Sequence, residues 1–277
     1  MGVKRIDARF ADLRAKDRAA FVAYVMAGDP DAETALEILR GLPGAGVDII
    51  EIGFPFSDPM AEGPPIQRAS QRALKAGMTL NGTLDLARRF RDGDAETPLI
   101  LMGYLNPILT HGLQAFAAAA ARAGIDGVIV VDCPPEEADP LADALDANDL
   151  SLIRLATPTT DEKRLPVVVR RTSGFVYYVS VAGVTGVKEA DAAAVAPQVE
   201  RVRRASGLPV AVGFGIKTPE RAAAVARVAD AVVVGSVFVE VIAHALERNE
   251  SPTAKVLESA RALAQAAHRA RLTEVPV

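Results

Sequence analysis

Residues 48–67 read DIIEIGFPFSDPMAEGPPIQ. The opening six are apolar and β-branched enough for a strand buried on both faces, the kind that belongs to a parallel sheet. Glu51 interrupts that run, on the same pleat face as Ile49 and Gly53. A carboxylate there is costly unless it is paired or has a task. The chain then leaves through a loop punctuated by Pro and Gly, which carries Asp58 and a second glutamate, Glu62. A buried carboxylate, a sharp exit and an acidic loop mark this stretch as the centre of a substrate site.

Working outward, seven more strand-like runs are legible, at 21–26, 98–104, 127–131, 151–156, 174–180, 209–214 and 229–234. Amphipathic segments such as ETALEILRGL, PLADALDAND and PERAAAVARVA lie between them, several starting after Asp, Thr or Pro. Alternating β and α units imply a parallel sheet. Eight units in this length fit a (β/α)₈ TIM barrel, with a doubly wound sheet as the alternative. Residues 1–277 read as one such domain, with no linker and no low-complexity tract beyond an Ala-rich helix. Ile6, Phe10 and Leu13, at helical spacing, predict an extra N-terminal helix across the barrel floor. Long connections are expected after strands two and six, on the face where barrels build active sites.

Bulk properties narrow the chemistry. The net charge of −4 gives no reason to expect nucleic acid or an anionic membrane as partner. A single cysteine, Cys133, excludes a disulfide framework, and three scattered histidines give no metal-ligand spacing. The N-terminus lacks the apolar core of a signal peptide, and no run approaches membrane-spanning length. A cytoplasmic protein without a metal is the expectation. No strand carries a lysine, so a Schiff-base aldolase lacks its nucleophile, while cofactor-free acid–base cleavage stays open.

Two glycine motifs, GFGIKTPE at 213–220 and GSVF at 235–238, end strands seven and eight. Loops at those positions form the recurrent phosphate site of barrels, and Gly183 and Gly186 add a third side; the other reading is that strand-end glycines are only turn residues. An ordinary Glu, with a pKa near 4.3, would be only about 0.2% protonated at pH 7. Burial in a barrel would raise Glu51 into useful acid–base range. A structural carboxylate bonded to a tyrosine or backbone donor is the other reading of Glu51. Solvated loop charges are the other reading of Asp58 and Glu62. Phe21, Tyr104, Tyr177 and Phe214 lie in or beside strands and would suit a flat apolar group attached to the phosphate, or simply fill the core.

The stretch EIGFPFSDPMAEGPPIQ, with AYVMAGDP, MGYLNPI, VVDCPPEE, AGVTGV, GFGI and GS in this order, resembles the tryptophan synthase alpha subunit family along nearly the whole chain. The resemblance implies a lyase that splits indole-3-glycerol phosphate into indole and glyceraldehyde 3-phosphate in tryptophan biosynthesis. It implies no cofactor in this chain, and a pyridoxal-phosphate β subunit as partner in an α2β2 heterotetramer. By position, Glu51 and Glu62 match the catalytic carboxylates, with Glu62 where the family usually has Asp. Thr185 and Gly186 match a lid-like sixth loop, and Val181 stands where some members have Arg. Gly213, Gly215, Gly235 and Ser236 match the phosphate cradle, and Phe21, Tyr104, Tyr177 and Phe214 match the indole pocket. The resemblance also places the partner surface around Asp58, Pro59, Asn106 and Pro107. A sugar-phosphate isomerase or epimerase, and a non-catalytic partner barrel, are the competing readings.

Overall fold

The computed structural model describes residues 2–180, 192–213 and 215–272. Eight strands occur in chain order: β1 (Ala20–Met26), β2 (Ile49–Gly53), β3 (Leu99–Gly103), β4 (Gly127–Val130), β5 (Ser151–Ala156), β6 (Val176–Val179), β7 (Val210–Gly213) and β8 (Ala231–Val234). Each pairs in parallel with the next, and β1 pairs with β8, so the sheet closes into a barrel. The open doubly wound alternative is thereby excluded. Nearly every strand residue is buried, because the inner face packs on itself and the outer face is covered by helices. Most strands are shorter than the apolar runs in the sequence, whereas β1 begins one residue earlier and β5 matches its run. Pro98 and Pro209 precede β3 and β7, and their carbonyls accept the N–H groups of Ile50 and Val176 at 3.0 and 2.9 Å.

The helices begin with α1 (Gly2–Ala15), α2 (Ala32–Gly41), α3 (Pro64–Lys75) and α4 (Leu80–Arg91). There follow α5 (Leu105–His111), α6 (Leu113–Arg122), α7 (Asp139–Asp146) and α8 (Leu165–Val169). The last four are α9 (Ala192–Ser206), α10 (Pro219–Ala226), α11 (Ser236–Glu247) and α12 (Pro252–Arg269). Their starts follow local chemistry: Asp31 accepts the Thr34 N–H at 2.9 Å, Thr79 the Gly82 N–H at 3.1 Å, and Thr218 the Arg221 N–H at 3.3 Å. Pro64, Pro219 and Pro252 take the first helical position, where no N–H is needed.

Helix α1 lies across the amino-terminal end of the barrel, burying Ile6, Phe10 and Leu13, with the Phe10 ring 5.8 Å from that of Phe175. That end carries a repeated polar device. Asp48, Asp126 and Asp230 immediately precede β2, β4 and β8, and each accepts a backbone N–H at the start of the strand before: Phe21, Leu99 and Val210, all at 2.8 Å. Each aspartate is also met by a basic partner. His268 bonds Asp48 at 2.7 Å, Arg5 and Arg91 each bond Asp126 at 2.6 Å, and Arg203 bonds Asp230 at 3.0 Å.

The connection after β2 is not one extended loop. Residues 54–63 are the loop proper, and α3 and α4 fill the remainder before β3. The connection after β6 falls largely at 181–191, so the lid expected there, with Val181, Gly183, Thr185 and Gly186, lies outside the described residues. Among the described residues, no helix is long and apolar enough to cross a membrane.

Candidate active site

At the carboxyl-terminal end of the barrel a small cavity opens between the strand tips. Its walls are Tyr24 from β1, Glu51 from β2, Met102 from β3, Tyr177 from β6 and Val233 from β8. Glu62 and Ile66 approach from the β2 connection, and Gly215, Ile216, Gly235 and Ser236 form the remaining side. These contributions come from register. Tyr24 pairs with Glu51, Glu51 with Ile100, and Gly53 with Met102, and paired residues share a face of the sheet.

The register also decides which aromatic of β1 enters the site. Tyr24 points inward, so Phe21, three positions earlier, points outward into the layer between barrel and helices. Phe21 is fully buried, yet it does not line the cavity. The expectation that placed Phe21 in the pocket is therefore corrected: Tyr24 holds that place. The sequence could have indicated this only through parity, since residues three apart in a strand cannot share a face.

Two glycines explain how bulky phenols fit inside the barrel. A side-chain carbon on Gly53 would lie 2.2 Å from the Tyr24 hydroxyl oxygen, and one on Gly213 would lie 2.0 Å from that of Tyr177. Each tyrosine thus occupies space left by the glycine of a neighbouring strand. Gly213 is not among the described lining residues, and its missing side chain leaves the space that the Tyr177 ring occupies. Gly215, Gly235 and Ser236 do line it. Ser236 opens the 12-residue helix α11, whose N-terminal N–H groups lack intrahelical acceptors and favour an anion.

Tyr104 has a different place from the one expected. It precedes α5 and accepts the Ala61 N–H at 3.0 Å, while its ring stacks on Phe56 at 5.2 Å. It fastens the loop backbone and is not among the described lining residues of the cavity. Asp58 is exposed and paired with Ser57, away from the cavity. Phe214 lies outside the described residues, as do Thr185 and Gly186. Ile66, Met102, Ile216 and Val233 were not singled out from the sequence, because nothing in their apolar character separates a pocket wall from core.

The electrostatics are set by what the cavity lacks. No Lys, Arg or His is among its described lining residues. Glu51 is 1% exposed and its Oε1 has no hydrogen-bond partner among the described residues. Burial, with the charge of Glu62 adding, pushes its carboxyl up to about 8. Glu62 is 8% exposed, and burial pushes it up to about 7. Tyr24 and Tyr177 are raised well above 10, again chiefly by burial, so both stay protonated donors. Two carboxyls that exchange protons near neutrality, facing one cavity, can give a proton at one point and accept one at another. The described residues hold no cluster of metal-ligating groups.

The fold and this site define a barrel enzyme of acid–base chemistry. Comparison with known proteins makes the class specific. A profile of the tryptophan synthase alpha chain family matches residues 10–268. The chain is 75% identical over 267 residues to a tryptophan synthase alpha chain of Phenylobacterium zucineum, covering 96% of each chain. It is 70% identical over 268 residues to that of Caulobacter vibrioides, covering 97% of this chain and 98% of the relative. The crystal structure of tryptophan synthase subunit alpha from Legionella pneumophila superposes with a TM-score of 0.88 at 41% identity, covering 95% of this chain and 97% of the other. A Mycobacterium tuberculosis tryptophan synthase structure gives a TM-score of 0.86 at 34% identity, covering 95% of this chain and 98% of the other. The chain belongs to the tryptophan synthase alpha chain family.

Proposed function

We propose that this chain cleaves indole-3-glycerol phosphate to indole and glyceraldehyde 3-phosphate, the lyase step of tryptophan biosynthesis, with no cofactor of its own. The observation that carries the assignment of roles is the pair of buried glutamates facing one cavity, raised to about 8 and about 7. Cleaving the bond to the side chain requires a proton on C3 of the indole, removal of the side-chain hydroxyl proton, and relief of the positive charge that develops at the ring nitrogen. Glu51, held mostly protonated at neutral pH, delivers the proton to C3. The carboxylate so formed takes the hydroxyl proton as the carbonyl of the aldehyde forms, which returns Glu51 to its starting state. Glu62, ionised, accepts from the ring N–H.

Tyr24 and Tyr177 flank Glu51 and supply flat walls for the indole. The phosphate sits against Gly215, Gly235 and Ser236 at the start of α11, where backbone N–H groups and the helix dipole meet its charge. Thr185, Gly186 and Phe214 join the site on the strength of the family resemblance. No cation is among the described lining residues, and the helix start supplies dipoles for the phosphate.

The partner we propose is a pyridoxal-phosphate β subunit, in an α2β2 assembly in the cytoplasm. The carboxyl-terminal face supports this placement. Met60, 78% exposed, follows Asp58 and Pro59, and Leu109, 53% exposed, follows Asn106 and Pro107 on α5. The deciding experiment is turnover of indole-3-glycerol phosphate by the full chain, with and without a β subunit, beside Glu51→Gln. Wild type should release indole and Glu51→Gln should release none while binding substrate within a few-fold; near-normal turnover by Glu51→Gln would remove Glu51 from its role.

A further inference from the structure

We infer that the Tyr24 hydroxyl donates a hydrogen bond to the Glu62 carboxylate when that group ionises, making Tyr24 a positioning residue for the proton transfers. This deepens the function proposed above and rests on its assignment of Glu62 as the acceptor.

The geometry starts with β1 and β2. Tyr24 stands opposite Glu51 in the register, and its ring leans along the strand until the hydroxyl covers Gly53, two residues beyond Glu51. That lean carries the phenol from the level of Glu51 towards the rim, where the loop brings in Glu62. Both glutamates and Tyr24 line the same cavity. The Tyr24 hydroxyl stands over Gly53 at the cavity wall.

Tyr104 accepts the Ala61 N–H through its hydroxyl oxygen and is not among the described lining residues of the cavity that Tyr24 and Glu62 share. Tyr177 stands across the barrel over Gly213. Behind Tyr24, Asp29 is held bidentately by Arg72 at 2.7 and 2.8 Å, so that guanidinium is directed away from the cavity. The two inward phenols also divide the carboxyls between them. Glu62 is the charge that weighs most on Tyr24, ahead of Glu51, whereas Glu51 comes first for Tyr177.

An ionised carboxylate whose described cavity walls hold no cation needs a donor, and one good bond to the charged form favours it over the neutral acid. A phenol suits this place. It stays neutral through the working range, so it adds a donor without fixing Glu62 in permanent ionisation as an arginine would.

The test is a carboxyl-¹³C NMR titration of the full chain labelled at glutamate, with the Glu62 signal assigned by its loss in Glu62→Gln. In Tyr24→Phe the midpoint of Glu62 should rise by about half to one unit, while that of Glu51 moves less. Replacing Tyr24 with 3-fluorotyrosine, a stronger donor of nearly the same shape, should move it the other way and guards against a packing effect of the first variant. An unchanged Glu62 midpoint, or equal movement of both glutamates, overturns the inference. The acid limb of kcat/KM for indole release should follow the NMR midpoint. If the midpoint moves and the limb does not, the Tyr24 bond stands and the role of Glu62 as acceptor falls.

Discussion

The Tyr104 hydroxyl accepts the N–H of Ala61 at 3.0 Å, one residue before Glu62. A residue at the start of α5 thereby fixes the backbone from which the second glutamate reaches the cavity. Ser70 of α3 supports the same loop, bonding both the N–H and the carbonyl of Phe56 at 3.1 and 2.9 Å. Tyr104→Phe keeps the stack on Phe56 but strips the loop of one anchor. An N–H left without its partner costs about 1–3 kcal/mol. We expect kcat/KM to fall roughly tenfold, with faster proteolytic nicking within 54–63, measured by limited digestion. An unchanged rate would show that the loop holds Glu62 without this bond.

The two carboxyls set the pH response. Cleavage needs Glu51 protonated and Glu62 ionised. The empty site should therefore give a bell-shaped kcat/KM, rising through about 7 and falling through about 8. Because the groups face one another, the limbs belong to the pair rather than to either residue alone. Glu62→Gln should remove the rising limb and cost about 10²–10⁴ in rate. Glu62→Asp keeps the charge with one methylene less reach and should stay within about tenfold. The pH–rate profiles of the three proteins distinguish these outcomes.

The same raised values predict a stability effect. A carboxyl whose folded pKa lies above its unfolded one binds its proton more tightly when folded. Its stabilising contribution is complete below about 4.5 and is lost as pH rises through the folded value, near 8 for Glu51. Glu51→Gln keeps a neutral side chain of similar shape at every pH. It should therefore be more stable than wild type above neutrality, by about 1–2 kcal/mol. The difference should vanish near pH 4. Thermal melts of both proteins from pH 4 to 9 would show whether the gap opens with pH as required.

Gly213 separates two explanations of the same sequence motif. If its role is to accommodate Tyr177, Gly213→Ala should displace that ring, since the new methyl would lie 2.0 Å from the hydroxyl oxygen and 2.6 Å from the adjacent ring carbon. Overpacking of this kind costs about 1–3 kcal/mol. Indole release should fall while affinity for glycerol phosphate stays within a few-fold, as read by calorimetric titration. Selective loss of glycerol phosphate binding would instead return Gly213 to the phosphate cradle.

These points mark how far the sequence could be read. The barrel was legible because eight β-branched runs alternate with amphipathic segments, a pattern set by local physics. Glu51 was legible because a carboxylate inside such a run contradicts its surroundings. Tyr24 was hidden, although AYVMAGDP contains it, because an aromatic in a fully buried strand looks the same on either face. Its orientation depends on the register between β1 and β2, which is a tertiary fact. Gly213 is ambiguous for a related reason: a strand-end glycine before a helix has the same signature whether it admits a ligand or a neighbouring ring. Tyr104 was found but its task was not, since the bond to Ala61 joins residues 43 apart in the chain.

The three aspartates at the amino ends of the strands have a last consequence. Asp48, Asp126 and Asp230 gather histidine and arginine partners at one pole of the molecule. The other pole is left with a pocket whose described lining holds two acids and no base. Cohesion and reactivity are thus assigned to opposite ends of one cylinder. Substitutions at the reactive end can alter which molecule is processed, or how fast, without loosening the clasps that keep the staves together. Such a molecule has room to acquire new chemistry while remaining the same object.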